Sequence, residues 1–139
     1  MKILVPVDGS AYSLKAVETA CDLAKAKPPS SLALIAVAIE IPELEEGVYI
    51  AEKMKAQARV ALAKAKEAAQ AQGVTAQEAL LTGVSPADEI VQAAKDQKSD
   101  LIVIGSRGLA GKTRSFLGST ASQVVTYSPC SVLVVKTQD

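Results

Sequence analysis

Apolar runs and helical stripes alternate along the 139-residue chain. Five short runs read as strands: Lys2 to Val7, Ser31 to Ile39, Thr75 to Thr82, Leu101 to Gly105 and Ser131 to Lys136. Between them the pattern predicts helices over Ser10 to Lys27, roughly Glu43 to Gln72, Pro86 to Gln97 and Gly118 to Tyr127. Parallel strands need crossover connections, and helices are the usual crossover. The alternation therefore predicts an α/β fold, a single open parallel five-stranded sheet with helices on both faces. The first, second and fourth runs are almost wholly apolar, as strands covered on both faces should be.

Local signals set the boundaries. Ser85-Pro86-Ala87-Asp88 places a cap, a first-turn proline and an acidic third residue in order, and Ile90, Val91 and Ala94 form the inner stripe. Pro28-Pro29-Ser30 stops the first helix, and Gly73 follows the second. The stripe of that second helix (Ile50, Met54, Ala58, Ala61, Ala65, Ala68) is narrow and alanine-rich, which suits packing flat on a sheet better than a coiled-coil seam. Glu43, Glu45 and Glu46 suit the positive end of the same helix. With no internal repeat, linker or low-complexity tail, residues 1–139 read as one domain.

Composition narrows the function classes. Apolar residues make up 49% and charged residues 22%, a globular balance. Fifteen basic and fifteen acidic residues cancel, so no net field draws in nucleic acid. The longest uninterrupted apolar run, Leu32 to Ile39, falls well short of the about 20 residues that span a membrane. Pro6 and Asp8 end the first apolar stretch too early for a signal peptide, so a cytoplasmic protein without membrane attachment is expected. Histidine is absent, which removes a Ser-His-Asp triad, a Cys-His pair and any imidazole metal ligand. Cys21 and Cys130 form no CxxC motif and lie among apolar neighbours, so both are expected as buried structural thiols.

The chemistry gathers where strands end. Ligands of an open α/β sheet settle beyond the carboxyl ends of the strands, where strand order reverses. If the first and fourth strands are central neighbours, their ends are Pro6-Val7-Asp8-Gly9-Ser10 and Ile104-Gly105-Ser106-Arg107-Gly108. Glycine lets a backbone approach an anion closely, and N–H groups at a helix start add donors and partial positive charge. Gly105, Gly108 and Gly118-Ser119-Thr120 thus mark a place for a phosphate. Asp8 can accept from an adenine amine or a ribose hydroxyl, or reach a phosphate-bound cation. Capping of the first helix is the ordinary use of Asp8 or Ser10, and the two uses are compatible. Arg107, Lys112 and Arg114 lie in or beside the loop, either as phosphate ligands or as a solvated basic loop.

Two nucleotide motifs fail on spacing. Gly111-Lys112-Thr113 looks like the end of GxxxxGK[ST], but position 106 would have to be glycine and is Ser106. The loop also follows the fourth strand, with no later apolar strand ending in aspartate to hold magnesium. Gly105, Gly108 and Gly111 do not make GxGxxG, and no such loop follows the first strand.

Gly105-x2-Gly108-x9-Gly118-Ser119, with Pro6-Val7-Asp8-Gly9-Ser10 at the first strand end, resembles the ATP-binding branch of the universal stress proteins. The resemblance runs the whole chain, through Gly83-x-x-Pro86 and Asp100-Leu101-Ile102-Val103-Ile104-Gly105 to Pro129-Cys130-Ser131-Val132-Leu133-Val134-Val135-Lys136. It implies strand order 3-2-1-4-5, a Rossmann-like adenine-nucleotide fold. It implies adenine between Pro6, Val7 and Asp8 and the backbone at Val37, with Ile104 and Gly105 lining the ribose side. Gly108, Gly118, Ser119 and Thr120 would bind phosphates. From the two strand ends themselves, and apart from the resemblance, Ser10, Ser106 and Arg107 are counted with the expected binding residues. Ala36 departs from the family, in which many members carry histidine before that valine; a backbone contact is untouched by the change. The resemblance also implies a homodimer paired through Ser131 to Val135.

The expected function is an ATP-dependent sensor or switch in stress response, with at most slow hydrolysis. Phosphoryl transfer needs a positioned base and help at the γ-phosphate, and no obvious base sits beside this loop. Mg2+ or Mn2+ would be carried mainly by the phosphates, with at most one protein carboxylate. A genuine ATP hydrolase or phosphotransferase, and a structural dimer whose glycine loop is only a tight connection, are the competing readings.

Overall fold

In a computed structural model of the chain, residues 1–41, 47–108 and 117–137 are described, except the side chains of 47 and 48. The elements follow in the order β1 (Lys2–Pro6), α1 (Ala11–Ala26), β2 (Ser31–Ile39), α2 (Gly47–Ala71), β3 (Ala76–Gly83), α3 (Pro86–Gln97), β4 (Leu101–Gly105), α4 (Ser119–Tyr127) and β5 (Ser131–Val135). All pairings are parallel, and the sheet order is β3-β2-β1-β4-β5. The sequence pattern and the sheet agree. Glu43, Glu45 and Glu46 lie outside the described residues, as do Lys112 and Arg114.

Alternation along the central strands divides the core into two layers. Ile3, Val5 and Val7 face α1 and α2, where they meet Val17, Cys21, Leu62 and Ala65. Leu4 faces the other way and joins Ile35, Ile90, Ile102 and Val124 beneath α3 and α4. Helix α2 buries Ala58, Ala61, Leu62, Ala65 and Ala69, and small side chains let it lie close to the sheet. Leu4, Leu34, Ile35 and Ile102 are wholly buried, so truncating any one to alanine would cost about 2–5 kcal/mol.

The helix starts are built locally. Ser10 is the N-cap of α1, its side chain accepting from the Ser13 amide at 3.1 Å. Ser85 caps α3 in the same way, and Pro86 takes the first helical position, where a missing N–H costs nothing. Helix α4 differs: Gly118 stands at its N-cap and supplies no side-chain hydrogen bond.

Two expectations shift in detail. Val7 lies past the end of β1, although its N–H still donates to the Ile35 carbonyl at 2.8 Å. Cys21 is fully buried, but Cys130 is only partly so, because β5 ends the sheet and leaves that corner half covered.

Candidate functional site

Strand order reverses at β1. Connections from β1 to β2 to β3 build outward in one direction, while β4 and β5 extend the sheet in the other. The turn after β1 and the loop after β4 therefore diverge toward opposite faces and leave a crevice at the carboxyl edge. Its volume is about 540 Å³.

Gly9 makes the first wall possible. Its φ of +86° lies in the left-handed region and turns the chain sharply from β1 into α1. A ring of short bonds then fixes the turn. The Ser10 amide donates to Asp8 Oδ1 at 2.9 Å, the Asp8 amide donates to Ser13 Oγ at 3.3 Å, and Ser13 Oγ donates to the Ser10 carbonyl at 3.0 Å. Ser10 and Ser13 are buried, while Asp8 is exposed to the crevice that it lines.

Gly105 opens the second wall at the end of β4. The Ser106 amide donates to the Val135 carbonyl at 2.9 Å, and the Ser106 carbonyl accepts from the Gly118 amide at 2.7 Å. These two bonds tie the start of the loop to β5 and to the N-terminus of α4. A Cβ placed on Gly108 would stand 2.7 Å from Asp8 Oδ2, so the two walls meet there.

The start of α4 completes the polar end of the crevice. The Gly118 amide is taken by the Ser106 carbonyl, and with no capping side chain at Gly118 the amides of the first helical turn that follow it have no side-chain cap. Gly118, Ser119, Thr120 and Ala121 all line the crevice. Partial positive charge there favours an anion.

Of the residues singled out from sequence, Pro6, Val7, Asp8, Val37, Ile104, Gly105, Arg107, Gly108, Gly118, Ser119 and Thr120 come together around this single space. Ser10 and Ser106 do not line it. Ser10 caps α1, and Ser106 joins strand and helix through its backbone. The structure adds lining residues that were not expected at the site: Ser13 on α1, Ile35, Ala36 and Ile39 on β2, Met54, Gln57 and Ala58 on α2, and Pro86 and Ile90 on α3. Only packing brings these together, although the apolar stripes containing Met54, Ala58 and Ile90 were readable as core.

The crevice has two chemical ends. Toward β2 and α2 its side chains are mainly apolar, as a planar base requires; toward β4 and α4 it offers amides, hydroxyls and the Arg107 guanidinium. Asp8 is the one acidic side chain among the described lining residues. No group of three or more metal-ligating acidic or sulfur side chains occurs among the described residues. No described helix is long and apolar enough to cross a membrane.

The profile of the Universal stress protein family matches residues 1–136. Universal stress protein MJ0531 of Methanocaldococcus jannaschii is 39% identical, over 97% of this chain and 81% of its own. Among solved structures, the universal stress protein UspA from Lactobacillus plantarum superposes with a TM-score of 0.85 at 27% identity, covering 97% of each chain. A universal stress protein in complex with cAMP matches with a TM-score of 0.77 at 31% identity, covering 99% of this chain and 98% of that one.

Proposed function

The chain belongs to the universal stress protein family, and we propose that it is an adenine-nucleotide-binding member that works as a sensor or switch rather than as a rapid enzyme. One observation carries this reading. A single crevice joins an apolar base-sized end, at Val37 and Met54, to the uncapped start of α4 at Gly118, Ser119 and Thr120. A nucleotide needs both, apolar faces for its base and oriented donors for its phosphate. The cAMP complex of a relative adds weight.

ATP is the proposed physiological ligand, because Gly108, Arg107 and the α4 start line one end of the crevice and carry donors for more than one phosphate. A divalent cation would ride on those phosphates, with Asp8 the one carboxylate among the described lining residues. Hydrolysis is slow in this reading. Among the described lining residues no side chain is placed as a base toward a terminal phosphate: Asp8 belongs to the β1 turn, and its Oδ1 is engaged by the Ser10 amide.

The protein is also proposed to form a dimer of two copies joined through β5. That strand ends the sheet, contains no proline or charge, and carries Leu133 exposed. Such an apolar edge normally pairs or is covered.

Calorimetric titration with ATP, AMP, cAMP and GTP, with and without Mg2+, tests the proposal. Saturable binding of the adenine nucleotides is expected. No binding of any of them would overturn it, and phosphate release faster than about 1 per second would make the protein an enzyme instead.

A further inference from the structure

Gln57 on α2 and Ser13 on α1 are the two polar side chains among the described lining residues to which the nucleotide reading gives no role. Helix α2 carries the chain back between two parallel strands, so it runs opposite to them and its N-terminal half rises toward their carboxyl ends. The position of Ala61 fixes its height, since a Cβ on Gly9 would lie 3.8 Å from the Ala61 Cβ. Gln57 stands one turn nearer the N-terminus on the same side of the helix. It therefore lies above the Asp8–Gly9 turn, beside Met54 and Ala58, at the apolar end of the crevice.

Chemistry separates Gln57 from its polar neighbours. Ser13 is buried, and its hydroxyl is engaged by the Ser10 carbonyl and the Asp8 amide. Asp8, as a carboxylate, only accepts hydrogen bonds. No hydrogen bond engages the Gln57 amide among the described residues. A glutamine amide offers one acceptor and two donors in a plane. Adenine presents an N6 donor beside an N7 acceptor, whereas guanine presents acceptors at both O6 and N7.

We propose that Gln57 is the base-reading residue of this site, its carbonyl accepting from N6 and its NH2 group donating to N7 of adenine. The proposal rests on the adenine-nucleotide reading and deepens it, because it assigns preference for adenine over guanine to a side chain.

The test is a cycle of two proteins and two ligands: wild type and Gln57→Ala, each titrated with AMP and with 7-deaza-AMP, in which N7 is replaced by C–H. AMP keeps the polyphosphate out of the comparison. Gln57 is exposed, and alanine is the better helix former, so the variant keeps its fold, as circular dichroism would verify. Wild type should bind 7-deaza-AMP about tenfold more weakly than AMP, and the variant should bind both equally. Equal binding of the two ligands by wild type, or an undiminished penalty in the variant, would overturn the assignment while leaving the nucleotide site intact. A wild type that binds no adenine nucleotide would overturn the site itself, and this assignment with it.

Discussion

Gly105 and Tyr12 hold the two halves of the site together: a Cβ on Gly105 would lie 2.8 Å from the Tyr12 carbonyl carbon and oxygen. The end of β4 thus presses on the first turn of α1 with backbone against backbone. A flexible side chain could swing aside, but the Tyr12 main chain belongs to a helix whose start is fixed by Ser10 and Ser13.

Gly105→Ala should therefore destabilise the protein by about 1–3 kcal/mol, the usual cost of overpacking a well-filled site. The loop after Gly105 would shift away from the Asp8 turn, so nucleotide affinity should fall as well. Urea unfolding of the variant, followed by AMP titration under native conditions, reads both effects. An unchanged unfolding midpoint would show that the contact relaxes without cost.

This contact also shows where the sequence was readable and where it was not. Glycine at 105 and 108 could be read as an opening for phosphate, but the reason for Gly105 includes a helix ninety-odd positions earlier, which no local pattern records. The sheet was legible because burial on two faces leaves β2 and β4 almost uninterruptedly apolar. Helix α3 was legible to the residue, since Ser85 and Pro86 write its start into the chain. Strand β3 begins one position later than its pattern suggested, at Ala76, because an edge strand carrying exposed Gln77 and Glu78 has a weaker alternation. The polar end of the crevice, with Gly105, Gly108 and Gly118 to Thr120, lies in one stretch of chain and was visible as a motif. Its apolar end was not, because Ile39, Met54, Gln57 and Pro86 become neighbours only when separate layers pack.

Cys21 predicts a pH dependence with a definite sign. The thiol is wholly buried between α1 and the sheet. Burial pushes its pKa above the ordinary 9.0, Asp22 and Glu18 push the same way, and Lys25 opposes them. The folded state thus holds the proton more tightly than the unfolded chain does. This contribution to stability is complete below the unfolded value and is lost as pH rises through the folded one. Wild type should lose stability faster than Cys21→Ala above pH 9.0, whatever the two proteins' difference at neutrality. Urea midpoints measured from about pH 7 to about pH 10.5 check this, and parallel curves for the two proteins would contradict it.

The proposed dimer is best tested at Leu133, and alternation along β5 is the reason. Val132 and Val134 pack, partly buried, against the layer formed by α3 and α4. A charge at either would damage the fold and the association together, so a monomer produced that way would be ambiguous. Leu133 points to the opposite face of the strand and stays 37% exposed, outside both core clusters. Leu133→Arg should then change folding stability by no more than about 0.5 kcal/mol, as surface substitutions usually do. The same charge, set on the symmetry axis or close to it, would face its own copy across a two-fold pairing of β5. Light scattering over a range of concentrations should give the mass of two chains for wild type and of one chain for Leu133→Arg, with AMP binding retained because Leu133 does not line the crevice. A variant that kept the mass of two chains would place the interface elsewhere, and a wild type of one-chain mass would remove it.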